Sequence, residues 1–442
     1  MLGYEKEQRS LTREQKQAVG LLSIGTFLEY FDLMLYVHMS IVLNELFFPK
    51  SDPHTVAVYS ALTFCSTFAF RPIGAIIFGW IGDNIGRKST IIITTMLMAL
   101  SCFIIANLAP FSQIGVTAAY LLTICRAIQG ISSVGEVVGA SLYLTEITEP
   151  PIRYPVVCTI AMGSALGGSA ALAVSWLFTS YGFNWRLAFW FGLIIGLIGA
   201  VARTALRETP DFADAKRRLK KILEEKNSYS EKLFKENKLI NEKVNVKTVL
   251  ALFLIYCAWP ACFYFVFVQC GNILKDLFGY TNHEVIQHNF FVALVKFCAI
   301  FVFAYASYKV HPLKIIKVRT LIFSLFILYL LYNTIYNNPA STPIQLFIIQ
   351  SFVIVFGFGD TPALPVFLMY FPIFKRFTCT SLVFAISHAL MYVVTSFGLV
   401  YLINYFNSWA FGLIAIIIPT GIGYIWGINH FQKLEEEAKN YP

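Results

Sequence analysis

Twelve stretches of about 20 or more predominantly apolar residues follow one another along the chain, each long enough to cross a bilayer as a helix. They run over residues 18–43, 55–81, 89–108, 114–145, 155–180, 185–205, 247–274, 287–309, 318–336, 343–372, 378–404 and 408–430. The apolar character is continuous, without the two-residue alternation of a barrel strand. Lipid admits only elements that satisfy their own backbone groups, so helices are predicted. Composition agrees: 57% of the 442 residues are hydrophobic and 13% charged, against about 25% charged in a soluble domain, and the mean hydropathy is +0.65. The expectation is an all-α, polytopic membrane protein with twelve transmembrane helices.

The first eighteen residues, MLGYEKEQRSLTREQKQA, are polar, and the apolar run behind them exceeds a signal-peptide core. The N-terminus is therefore expected to remain in the mature protein. With that end placed inside, and with Arg203, Lys247, Lys309 and Arg319 at span edges counted with the adjoining inner segments, 28 Lys and Arg fall on inner segments and three (Lys50, Arg186 and Lys275) on outer ones; Arg71, Arg126 and Lys296 lie within spans. This asymmetry predicts both termini on the cytoplasmic side. Basic residues clustered in loops between spans also argue against a nucleic-acid partner. The nine cysteines are scattered through apolar segments with no metal-ligand spacing and read as packing residues.

One long polar interval, 206–246, divides the spans six and six. It is expected to be a cytoplasmic linker between bundles 1–205 and 247–442, with Phe212, Ala215, Leu219 and Ile222 or Leu223 at helical spacing. That pattern fits an amphipathic helix at the membrane surface or an ordinary solvated helix.

Against this background the ionisable residues inside the spans stand out. A charge near the bilayer centre costs roughly 2.5–3.5 kcal/mol on insertion scales and marks a candidate functional site. In FLEYFDLMLY, Glu29 and Asp32 project about 60 degrees apart on one helix face, so they are expected to share one cavity wall. Arg71, Arg126, Gln129 and Glu136 offer partners in the same half, and Tyr30 and Tyr36 an aromatic wall. A carboxylate balanced between desolvation and a nearby Arg is suited to binding and releasing a proton; the alternative is a set of fixed salt bridges holding helices in register. Glycines Gly130, Gly135, Gly139, Gly163, Gly167 and Gly168 suit close helix packing.

The loop GWIGDNIGRK combines turn-permitting glycines with Asp83, an acid placed to cap the next helix, and a basic pair at the interface. Its Gly79, Asp83, Gly86, Arg87 and Lys88 resemble the gate motif of the major facilitator superfamily, with Asn84 where a basic residue is usual. FLEYFDLMLY, RPIGAIIFGWIGDNIGRK, RAIQGISSVGEVVGASLYLTE, NWRLAFW and RETPDF resemble, in order and spacing, its metabolite:proton symporter branch, which includes proline/betaine and organic-acid carriers. The resemblance is dense over residues 20–212 and thins afterwards, where FPIFKRFTCTSLVFAIS is best retained. The loop YASYKVHPLKIIKVRT lacks a second copy of the gate motif. The resemblance implies the major facilitator fold and a bacterial-type inner membrane.

In the second half, Lys296 is placed either to bind a substrate carboxylate or to snorkel outward. His388 lies within a span. Asp360, in GFGDTPALP, sits where glycine and prolines interrupt a helix, as a broken-helix site or a cap. NHEVIQH resembles the zinc-hydrolase HExxH, but His283 and His288 project about 140 degrees apart, too far to ligate one ion from one face with Glu284 between them. No catalytic residues, metal or cofactor are expected. The expectation is a secondary transporter, functional as a monomer, that couples protons to uptake of a small zwitterion such as proline or betaine. An organic-acid symporter, a non-transporting osmosensor or receptor, and a channel are the alternatives.

Overall fold

The computed structural model describes residues 7–48, 67–181, 184–204, 206, 208–209, 213, 217, 242–336 and 340–441. The expected linker, apart from a few positions, and the first part of the second apolar stretch lie outside these residues.

Among the described residues, twelve helices of fourteen or more residues form the body: α1 (Arg13–Phe47), α2 (Arg71–Asn84), α3 (Arg87–Asn107), α4 (Val116–Ile147), α5 (Arg153–Tyr181), α6 (Arg186–Arg203), α7 (Val246–Tyr264), α8 (Asn282–Lys309), α9 (Pro312–Tyr336), α10 (Pro343–Phe356), α11 (Arg376–Phe406) and α12 (Trp409–Glu437). Among the described residues nine helices, counting α7 with its continuation to Phe278, are apolar and long enough to cross a membrane. The outward surface carries large apolar side chains such as Ile76, Ile198, Leu328 and Tyr401. In water they would be a liability; in lipid they face their solvent.

Helices α1 to α6 pack mainly on one another, through α1 on α5, α3 on α4 and α6, and α2 on α4; α7 to α12 do likewise, through α7 on α11 and α12. The two groups meet chiefly along α5 against α8 and α2 against α11. Small residues permit the tight crossings: a Cβ at Gly163 would sit 2.7 Å from the Ser23 carbonyl oxygen, so α5 approaches α1 backbone to backbone.

Two irregularities fall in the second group. Pro260 removes one hydrogen bond from α7, and a π-turn at Phe265–Gln269 follows before the helix resumes over Cys270–Phe278. Helix α10 stops at Phe356 and gives way to GFGDTPA before a short helix, Leu364–Met369. Non-helical backbone is tolerated at this depth only where protein satisfies it. Arg319 donates to the carbonyls of Gly357 (3.0 Å) and Thr361 (2.6 Å), and the Tyr424 hydroxyl donates to that of Gly359 (2.5 Å). Arg203 and Arg319, counted above as inner-loop charges, are thus corrected to buried residues within helices; Arg203 donates to carbonyls of Leu21 and Leu22.

Candidate functional site

A cavity of about 150 Å³ lies between the two groups of helices. Tyr30 and Arg71 face it from one side; Trp259, Lys296, Asp360 and His388 face it from the other. Apart from Arg71, the first residue of α2, and Asp360, in the break after α10, these residues sit well inside their helices. Tyr30, for example, is seventeen residues into α1, roughly 25 Å along its axis.

Helix α1 turns Thr26 and Tyr30, one helical turn apart, to the cavity. Glu29 and Asp32 are buried away from it, so the expected shared cavity wall is corrected. The two carboxylates diverge to separate partners. Glu29 lies 3.7 Å from Arg71, and Arg71 itself lines the cavity with its guanidinium 4.7 Å from the Phe68 ring. Asp32 lies 3.3 Å from Arg126, whose guanidinium also donates to Gln129 Oε1 (2.8 Å) and lies 4.1 Å from the Tyr36 ring. The Cys102 thiol donates to Asp32 at 3.5 Å. Every member of both pairs is at most 3% exposed. Removing one partner from such a pair leaves the other charge buried without compensation. Glu136 lies on α4, and its side chain is outside those described.

Toward the end that carries both chain termini, the gate motif bridges the two groups. Asp83 accepts backbone N–H groups of Phe377 (3.1 Å) and Thr378 (2.8 Å), at the first turn of α11. The expectation that Asp83 caps the next helix, α3, is corrected: it caps α11 across the interface, where the helix dipole favours a carboxylate. The first N–H of α3, on Arg87, is instead met by Glu208 from the RETPDF run at 3.0 Å. The Arg87 side chain pairs with Asp83 (3.2 Å) and Glu146 (3.3 Å) and donates to the Ile373 carbonyl (2.8 Å). Glu146 in turn pairs with Arg376 at 3.1 Å. Gly79 and Gly82 let α2 reach α11: added Cβ atoms would lie 2.8 Å from Thr378 Cα and 2.7 Å from the Phe377 ring. Lys88 donates to the Thr204 carbonyl at 2.6 Å, and Asn84, at the position that lacks the usual basic residue, bonds back to the Trp80 carbonyl. The interlock closes without a charge at position 84.

Across the cavity, Lys296 turns inward, its ammonium 4.9 Å from the Trp259 ring. Outward snorkelling is thereby corrected. Asp360 stands in the break after α10 and accepts the Thr361 hydroxyl at 3.4 Å. His388 Nδ1 lies 2.9 Å from the Phe384 carbonyl oxygen. A carbonyl only accepts, so Nδ1 carries an N–H and donates it. His283 packs against the Trp176 ring while His288 bonds Gln350 (2.5 Å), so the two histidines have separate partners.

Sequence reasoning missed Trp259, Arg319 and Tyr392 as cavity residues. Aromatic residues are common in these spans and nothing in their spacing singles them out. Glu146, Glu208 and Arg376 had a signal, since all three lie inside the runs LTE, RETPDF and FKR.

With this geometry in hand, comparison with known proteins is informative. A model of the Major Facilitator Superfamily matches residues 22–398. The inner membrane metabolite transport protein YhjE of Escherichia coli is 35% identical over 230 residues, 50% of this chain and 52% of that protein. The E. coli proline/betaine transporter is 34% identical over 204 residues, 45% and 41% of the respective chains. The chain spans about half the length of the curated relatives it matches. The proton:xylose symporter XylE superposes with a TM-score of 0.73 over 95% of both chains at 15% identity, a likeness of fold.

Proposed function

The chain belongs to the major facilitator superfamily, and from that premise we propose that it imports a small zwitterion of the proline or betaine kind by proton-coupled symport in an inner membrane. The observation that carries this reading is the double role of Arg71. It lines the cavity and forms the buried pair with Glu29. Protonating Glu29 removes its charge and frees Arg71, so the contents of the cavity and the proton state of α1 bias one another. Asp32 with Arg126 is a second buried pair on the same helix and offers a second protonation site. Linkage of this kind is reciprocal: a proton that favours substrate binding is itself held more tightly once substrate is bound.

The six-helix groups 1–205 and 247–442 then act as the two rocking bodies, with the cavity at their interface. With both termini cytoplasmic, the Asp83–Arg87–Glu146–Arg376 interlock is the inner gate, closed in this structure. The protein works as a monomer, needs no cofactor beyond the proton gradient, and is not an enzyme. A relative named as a proline/betaine transporter supports the zwitterion. The organic-acid alternative has its own support in three cationic side chains at the cavity (Arg71, Lys296 and Arg319) against one carboxylate, Asp360.

The test is uptake by the full chain in proteoliposomes with an imposed proton gradient, across proline, betaine, 2-oxoglutarate, citrate and shikimate. A symporter accumulates its substrate above equilibrium. Equilibration alone indicates a channel, binding without uptake a sensor, and accumulation of the acids alone the organic-acid reading.

A further inference from the structure

The charges on the α1 side of the cavity are paired internally, Glu29 with Arg71 and Asp32 with Arg126. Two charges on the opposite side are not. Lys296 and Asp360 line the same cavity, and among the described residues neither has an ion-pair partner within 4.0 Å. Lys296 meets only the Trp259 ring face, and Asp360 only the Thr361 hydroxyl and the local backbone. The nearby Arg319 offsets part of the Asp360 charge, but its donors are fixed on the Gly357 and Thr361 carbonyls and its guanidinium lies 4.6 Å from the Phe303 ring. Both side chains are half-buried, and a partly desolvated charge without a close ion-pair partner is stabilised when a ligand supplies the opposite charge.

We propose that Lys296 and Asp360 form a bipolar clamp, Lys296 binding the carboxylate of a zwitterion and Asp360 its ammonium. The proposal deepens the zwitterion reading and rests on it. One cation and one anion lining the same small cavity match a molecule that carries one of each, and mismatch a dicarboxylate, whose second charge would meet Asp360. Tyr30 and Tyr256 line the same space and offer ring faces to a methylated ammonium that has no N–H to donate. The cavity, about 150 Å³, lies below the roughly 300–1,000 Å³ usual for drug-sized ligands. The clamp belongs wholly to the second group of helices, whereas the proton-responsive pairs belong to the first. Substrate recognition and proton binding are thereby assigned to opposite bodies of the transporter.

The test is calorimetric binding to the purified full chain in detergent, with proton-driven uptake in proteoliposomes run alongside. In the unaltered protein, prolinamide, which lacks the carboxylate, and cyclopentanecarboxylate, which lacks the nitrogen, should each bind at least ~10-fold more weakly than proline, the scale expected for losing one desolvated charge contact. Lys296→Gln should weaken proline by a similar factor and erase its advantage over prolinamide, with Lys296→Arg restoring part of it. Asp360→Asn should erase the advantage over cyclopentanecarboxylate. Binding that follows this pattern without gradient-driven uptake supports the clamp and defeats symport. If the unaltered protein binds the three ligands alike, or prefers a dicarboxylate, the clamp is overturned whatever the variants do. It is also overturned if either variant weakens proline and its truncated analogue equally.

Discussion

Substituting Asp83 by Asn should open the gate in proportion to the hydrogen bonds it removes. In the closed arrangement the Asp83 carboxylate accepts two backbone N–H groups of α11, from Phe377 and Thr378, and pairs with Arg87. Hydrogen bonds to a charged acceptor contribute about 1.5–3 kcal/mol each, and neutral ones about 0.5–1.5. Asn carries a single accepting oxygen and no charge, so one bond is lost and the other weakened. Arg87 keeps Glu146 and the Ile373 carbonyl in either case. The closed state therefore loses about 2.5–4.5 kcal/mol relative to the open one, where both side chains are hydrated, a shift of roughly 60- to 1,600-fold at 1.4 kcal/mol per decade. Ser141 lines the cavity, and Ser141→Cys reports access from the gate side. A membrane-impermeant maleimide applied to that face should label the cysteine at a rate that rises by this factor in Asp83→Asn, measured against the parent cysteine background. Labelling unchanged within twofold would refute the assignment of Asp83 as the interlock.

Three other outcomes follow from the same geometry. Gly82→Leu places side-chain atoms where the Phe377 ring lies, 2.7 Å from the Cβ position; the same maleimide assay should show the closed state lost, at least as severely as in Asp83→Asn. Glu29→Gln or Asp32→Asn should abolish accumulation driven by the proton gradient while at least one of them still exchanges labelled substrate, and normal accumulation by both would refute the coupling role. Tyr424→Phe deletes two hydrogen bonds, one donated to the Gly359 carbonyl and one accepted from the Gly359 N–H, and should cost about 1–3 kcal/mol. Arg319→Ala leaves two carbonyls of the break without that donor and should lower the thermal midpoint further, an order checked by thermal unfolding in detergent.

What the sequence made legible follows from the solvent. A bilayer forces each crossing segment to declare itself as a long apolar run, so all twelve helices and their even division are visible in composition alone. Isolated charges are visible for the same reason: Glu29, Asp32, Arg71 and Arg126 each stand out against lipid-compatible neighbours. Their directions were not legible. A spacing of three residues places Glu29 and Asp32 on one broad face, but which part of that face borders the cavity depends on how α1 is rotated against α5, and that is set by backbone contacts such as Gly163 on Ser23. Asp83 was read as a local cap because local capping is what sequence proximity implies. Its partners are nearly 300 residues away, brought near by the meeting of α2 and α11. Arg319 was counted with a basic loop because its neighbours Lys314 and Lys317 are loop-like in sequence, yet it lies inside α9 and supplies donors to a break in α10.

That break bears on how the protein is made. The segment from Pro343 to Met369 exposes peptide carbonyls that its own helix cannot satisfy, and their donors come from helices on either side of it in the chain. Arg319 is synthesised earlier, but Tyr424 belongs to α12, the last helix. As the nascent chain leaves the ribosome, the tenth crossing is therefore an unfinished guest in the lipid, best sheltered beside α9 and the insertion machinery until the twelfth arrives. Completion of the second bundle is tied to the arrival of α12, and a chain truncated before Tyr424 carries an unsealed backbone at membrane depth for quality control to recognise.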